Sequence, residues 1–291
     1  MRFGLMDFAT GGADAWRARA QRAEQLGFDV LWTGDHLFHF ARPETPFLDG
    51  WVLLSAWTAV TSRIRLGMLV ANLSWRSPVL VARAAVAVDQ LSAGRLELGV
   101  GAGAFADQAM AGVLAMPARE RIGRLREGTQ VLDRLLRGDV SPFAGTYTAY
   151  AAAEVAPGCV QAPRPPLTLA ANGPRALRVA AELADAWNTW GGLDLAVGEF
   201  RSATAARART LEAHCERLGR DPATIRRSLL VYHRFVDPWA STTQVERLVE
   251  AFAPLGFTEY VFYWPRPEQE PVFEQAALEV LPALRGRPGR R

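Results

Sequence analysis

One feature constrains this chain more than any other: short β-branched or apolar runs alternate with longer Ala/Leu/Arg stretches, eight times over. A strand that must pair in parallel with the next needs a long crossover, and a helix is the usual one. The predicted strands cover residues 2–8, 30–33, 65–70, 96–100, 167–170, 186–189, 229–236 and 260–263. The predicted helices cover 14–26, 51–60, 78–91, 119–136, 175–183, 195–218, 242–255 and 273–284. Local punctuation agrees: Asp14 can cap the first helix, Gly27 can stop it, and Pro78 suits a first helical turn. Ile122, Leu125, Val131, Leu132 and Leu135 recur at helical spacing.

Eight strand–helix units in 291 residues predict an α/β fold, a TIM (β/α)8 barrel, in one domain over 1–284. A doubly wound open sheet competes, but alternation through eight units favours closure. The pattern breaks once, after the fourth unit, at 142–166, where Pro, Gly, Tyr and Ala predict an insertion with some extended structure. The tail RGRPGRR, 285–291, reads as basic and disordered.

Composition excludes several functions. The chain has no lysine, which removes a lysine Schiff base and a P-loop lysine. Net charge is only +3, and no aromatic-plus-basic platform accompanies the tail, so no nucleic-acid role is expected. No run of ~20 apolar residues predicts a membrane span, and MRFGLMDFATGG lacks an apolar leader core, so the expected compartment is the cytoplasm. Cys159 and Cys215 are too few and too distant for a disulfide framework. His36 and His39 have HxxH spacing, but a loop setting without further ligands predicts no metal.

In a barrel of this kind, chemistry gathers at the C-terminal strand ends. That rule brings together Met6, Asp35, His36, Ala71, Asn72, residues 101–103, residues 171–173, Trp190 and Trp264. In LWTGDHLFHF an apolar run stops on an acid and a histidine. His36 is then either an acid, base or donor, or a loop histidine satisfied by neighbours. GVGAG, 99–103, is half a dinucleotide fingerprint without its third glycine. Its glycines admit either a flat ligand or a tight turn. In LTLAANGPRALRVAAELAD a strand meets Asn172-Gly173-Pro174 and then a helix. A late-strand helix N-terminus is a ready phosphate site, with Arg175 as charge partner; the alternative is an ordinary turn. Trp75, Trp190 and Trp264 fall near strand ends and can line an apolar substrate pocket with Met6. His214 is expected on a solvated helix face, and His233, inside the seventh strand, faces either core or pocket.

Four segments resemble the bacterial luciferase-like family: GFDVLWTGDHLF, TSRIRLGMLVANLSWRSPVLVARAAVAVDQLSAGRLELGVGAG, RIGRLREGTQVLDRLL and PPLTLAANGPRALRVAAELADAWN. Its members are flavin- or F420-dependent barrel oxidoreductases, and the resemblance is nearest the F420 branch. The resemblance implies F420 as cofactor, with FMN as the alternative. It implies a proton-moving role for His36, an acidic neighbour in Asp35, and a bulge with a cis peptide at Leu69–Val70 behind the cofactor ring. Ala71, Asn72 and Ala102 match ring-contacting positions, and Asn172, Gly173, Pro174 and Arg175 match the phosphate-binding turn. The insertion matches a region that covers or flanks the pocket. Ala104 departs from the glutamate of some F420 sugar-phosphate dehydrogenases, and Ala171-Asn172 departs from a frequent Gly-Gly. The resemblance implies hydride transfer between F420 and a small organic substrate, in a homodimer. The alternatives are an FMNH2-dependent monooxygenase using O2 and, in another class, a non-catalytic barrel that binds or scaffolds.

Overall fold

A computed structural model describes residues 1–8, 10–39, 44–103, 109–152, 155–192 and 194–286. The barrel strands are β1 (Arg2–Met6), β2 (Val30–Thr33), β3 (Arg65–Asn72), β4 (Leu96–Gly101), β7 (Leu167–Ala170), β8 (Ala186–Thr189), β9 (Arg226–Val231) and β10 (Phe257–Tyr263). They close in the order β1-β10-β9-β8-β7-β4-β3-β2, each pair parallel. This is the TIM barrel expected from the alternation. Strands buried on both faces need continuous apolar runs, and β2 (VLWT) is buried at every residue.

The outer helices are α1 (Ala13–Gln25), α2 (Gly50–Thr58), α3 (Pro78–Leu91), α4 (Ala118–Leu136), α5 (Pro174–Leu183), α6 (Phe200–Arg217), α7 (Thr242–Phe252), α8 (Glu270–Gln275) and α9 (Leu281–Arg285). None is long and apolar enough to cross a membrane. Gly12, not Asp14, is the N-cap of α1, and Asp14 sits in the first turn. The last predicted helix is interrupted by a π turn at Ala276–Val280. Pro282 lies just beyond it; a proline removes one i→i−4 bond and crowds the preceding turn, which a widened turn relieves.

β1 ends earlier than predicted, at Met6, and β3 and β4 run on to Asn72 and Gly101; the differences in β9 and β10 have further consequences. β9 starts at Arg226 and stops at Val231, so His233 lies in the following loop. β10 starts at Phe257 and so includes the buried Glu259. Polarity hides these strand starts, and tertiary pairing explains them. At the N-terminal end of the barrel, Glu97 accepts from Arg2, Arg65 and Arg226, each at 2.7 Å. Arg226 also reaches Glu259 at 3.0 Å. A cavity of about 600 Å³ opens over this network. In this fold that end serves stability.

The insertion takes another path than expected. A hairpin, β5 (Phe143–Ala144) with β6 (Ala149–Tyr150), lies against α4, where Glu127 accepts from the backbone N–H groups of Thr146, Tyr147 and Thr148. The chain then descends past α3 to the lower end of β4, where Gln161 donates to the Leu96 carbonyl and to Asp89. The described part therefore flanks α3 and α4 rather than covering the mouth. The tail also begins later than expected: Arg285 ends α9 and pairs with Asp29 at 2.9 Å, and 287–291 lie outside the described residues.

Candidate active site

The mouth has two halves. On one side, the ends of β1, β2, β9 and β10 surround a cavity of about 620 Å³. Met6, His36, His233 and Trp264 line it, with Phe8, Tyr232 and Tyr263 among its aromatic walls. On the other side lie the ends of β3, β4 and β7 and the start of α5. His36 follows β2, the strand next to β3, and so stands at the border.

The His36 loop is tightly fitted. Phe8 meets the His36 ring edge-on with centroids 5.8 Å apart. Gly34 allows this, because a Cβ there would sit 2.7 Å from Phe8 Cε1. Beneath His36, Asp35 is 3% exposed. Arg76 Nε donates to its two oxygens at 2.8 and 2.7 Å, and the Asn72 N–H donates to Oδ2 at 3.0 Å. Burial pushes the Asp35 carboxyl above its ordinary range, against the pull of Arg76 and the Asn72 N–H. Asp35 therefore does not offer an oxygen to the mouth, contrary to its expected cofactor contact. It ties the His36 loop to the end of β3. Arg76 extends the tie to Asp49, the N-cap of α2, at 2.9 Å, and lies 4.2 Å over the Trp75 ring.

β3 carries the expected irregularity: its register with β4 shifts between Met68 and Ala71, and the Leu69–Val70 peptide is cis. Val70 stays half-buried and faces the mouth, packed with Phe8, Trp190 and Tyr263 over Met6, Leu69 and Leu230. A Cβ at Gly101 would lie 2.4 Å from Val70 Cγ2. That glycine serves the bulge of the neighbouring strand, neither a flat ligand nor a turn. Ala71 is fully buried in the strand–helix layer, and Asn72, 3% exposed, accepts from the Ser74 N–H at 3.1 Å. Ala71 and Asn72, with Leu69 at 7% exposed, support the mouth from below and do not line it. Trp75 is likewise held under Arg76 and is not a wall of the cavity. Ala102 is half-buried beside Val70's half of the mouth. Ala104 lies outside the described residues.

At β7 the chain turns through Asn172 into α5. Gly173 is its N-cap and brings no side-chain cap, while Gly173, Pro174 and Arg175 are exposed. Among the described residues no side chain caps the first-turn N–H groups, the condition under which a helix N-terminus takes an anion. Thr189 Oγ1 donates to Asn172 Oδ1 at 2.7 Å, steadying this turn from β8. His214, partly exposed on the outer helix face as expected, also meets the Pro174 carbonyl at 3.1 Å.

His233, which the sequence leaves facing either core or pocket, lines the pocket, and Tyr263 joins it from the end of β10. Tyr232 and Tyr263 strip part of the water from the His233 ring, and Arg266 is near; together they hold its pKa below the ordinary histidine value. The available signal was position: both follow or end strands whose limits polarity obscured. Among the described residues no cluster of His, Cys, Asp and Glu is arranged for a metal.

Comparison with known proteins adds a lineage. The sequence pattern of the luciferase-like monooxygenase family matches residues 1–253. A protein of Beutenbergia cavernae named F420-dependent glucose-6-phosphate dehydrogenase is 30% identical over 315 residues, covering 91% of each chain. The coenzyme F420-dependent tetrahydromethanopterin reductase of Methanopyrus kandleri superposes with a TM-score of 0.80 at 18% identity, over 97% of this chain and 99% of that one. The monooxygenase RslO1 of Streptomyces bottropensis gives 0.77 at 18% identity, over 98% and 100%.

Proposed function

The chain belongs to the luciferase-like monooxygenase family, and from that premise we propose an F420-dependent oxidoreductase that transfers a hydride to or from a small organic substrate. The observation that carries the reading is the divided mouth, with His36 between an aromatic cavity and a half that suits a flat cofactor. A relative named as an F420-dependent dehydrogenase, which matches over nearly the whole chain, supports it.

The residues suit the cofactor in two ways. Val70 and Ala102 offer a low, half-buried surface for a ring, and α5 begins exposed and uncapped for a phosphate beside Asn172 and Arg175. When bound, F420 would supply the carbon that gives up or accepts a hydride. Leu69, Ala71 and Asn72 back that surface. His36 moves a proton at the substrate oxygen. The cavity's aromatic walls displace water, which strengthens every polar contact inside. The sugar phosphate of the dehydrogenase relative is not carried over, because Ala104 supplies no acid. We propose also that the enzyme works in the cytoplasm as a homodimer. Val52 on α2 and Leu80 on the adjacent α3, 66% and 68% exposed, support a contact there.

The test is anaerobic. Reduced or oxidised F420 is mixed with the protein and a panel of carbonyl compounds and alcohols, and the deazaflavin absorbance is followed. Turnover is expected with some member of the panel, and His36→Ala should lose ~10²–10⁴-fold of it while still binding F420. Unchanged turnover in His36→Ala would remove the proton role.

A further inference from the structure

The cavity beside His36 is selective in charge. Phe8, Phe38, Phe47, Tyr232, Tyr263 and Trp264 stand among its lining residues. Two guanidinium groups also reach it, and each already has a carboxylate. Arg19 pairs with Asp7 at 2.9 Å. Arg266 pairs with Asp237 and with Glu268, both at 2.8 Å. Asp237 is itself fixed, since Gln269 Nε2 donates to its oxygens at 3.0 and 2.8 Å. Gln269 also accepts from the Arg266 N–H at 3.1 Å, so acid, amide and guanidinium form one closed set.

An anion entering here would exchange water for ring faces and for cations that are already neutralised. Burying a charge without its own partner is costly, whereas a neutral ring gains buried apolar area and edge-to-face contacts. The remaining polar groups suit a neutral guest. Burial pushes the Tyr263 phenol up, so it stays a donor, and the His233 ring stays neutral at pH 7, able to donate and accept. The volume, about 620 Å³, falls within the usual range for small-molecule sites.

We propose that this cavity takes an uncharged, ring-bearing carbonyl compound or the corresponding alcohol, and rejects phosphorylated and carboxylated analogues. The proposal rests on the reading that the cavity is the substrate half of the mouth. In the reductive direction a hydride from the reduced deazaflavin forms the new C–H bond at the carbonyl carbon. The C=O π pair moves to oxygen, and a proton delivered by the His36 ring completes the alcohol. Both electrons travel with the hydride, so one reduced deazaflavin is oxidised per alcohol formed, and the proton it releases on oxidation balances the one that His36 gives.

Calorimetric titration of the full chain, with and without F420, tests this with 2-acetonaphthone, 2-naphthoate and glucose 6-phosphate. The first two share a ring system and differ in charge. The ketone is expected to bind at least ~10-fold more tightly than the carboxylate, a difference of ~1.4 kcal/mol. Glucose 6-phosphate is expected to bind more weakly still. Asp237→Asn should narrow the ratio by releasing Arg266 for the carboxylate, and the exposed Glu268→Gln should do the same to a smaller extent if Asp237→Asn does not fold. Equal or tighter binding of naphthoate or glucose 6-phosphate overturns the proposal, as does binding of none of the three. Preference for the ketone without F420 binding keeps the charge selection and refutes the hydride-transfer reading instead.

Discussion

Asp35→Ala separates a scaffold role from a cofactor contact. Its side chain is 1% exposed, and its oxygens hold Arg76 and the Asn72 N–H. Removing one partner of a buried ion pair typically costs ~3–5 kcal/mol, because the other charge is left behind. Here the lower end applies. The Arg76 side chain is 23% exposed and keeps Asp49 at 2.9 Å. The orphaned Asn72 N–H accounts for ~1 kcal/mol of the loss. A net destabilisation of ~3 kcal/mol is expected, read as a lower urea midpoint at unchanged slope. Asp35→Ala combined with Arg76→Leu should lose less than the sum of the two singles, since no unpaired charge remains. Affinity of the still-folded Asp35→Asn protein for F420 should change little. A loss of F420 affinity with an unchanged urea midpoint would refute this account and return Asp35 to the cofactor.

Other expectations concern the floor and the phosphate turn. Glu97→Ala should destabilise by ~3–5 kcal/mol, because three guanidinium groups lose a buried carboxylate; a loss below 1 kcal/mol by denaturant melts would contradict it. Burial pushes the Glu97 carboxyl up, but Arg226, Arg2 and Arg65 outweigh it and hold the pKa below the ordinary value. Its contribution is therefore complete above the unfolded-state pKa of ~4.3 and is lost as pH falls below that. Wild type should lose more stability between pH 5 and pH 3 than Glu97→Ala does, and parallel pH curves would exclude the linkage. Arg175→Ala should weaken F420 binding by ~5-fold, since an exposed ion pair contributes at most ~1 kcal/mol, and the effect should shrink in high salt. Equal affinity would remove Arg175 from the site.

The barrel was legible because strands buried on both faces must be apolar throughout. β2, α3, β7 and β8 fall on their predicted limits. The starts of β9 and β10 were not legible, since Arg226 and Glu259 look like loop residues until each finds the other across the barrel end. The same holds at the mouth. Nothing near Asp35 in sequence announces Arg76, which is 41 residues away. Position at strand ends was enough to find His36, Met6 and Trp264. It was not enough to tell Val70, half-exposed, from Ala71, fully buried, because a bulge changes which side chain faces the mouth. The path of the insertion depends on Glu127, Asp89 and Gln161, contacts too distant for local pattern to reveal.

The most direct measurement is titration of the purified protein with F420 and, separately, with FMN, followed by quenching of its tryptophans. F420 binding tighter than FMN by an order of magnitude or more, ~1.4 kcal/mol, is the expected result. FMN binding more tightly would contradict it and make oxygen-dependent flavin chemistry the reaction to assay, and binding of neither would leave the barrel without the redox partner that hydride transfer requires.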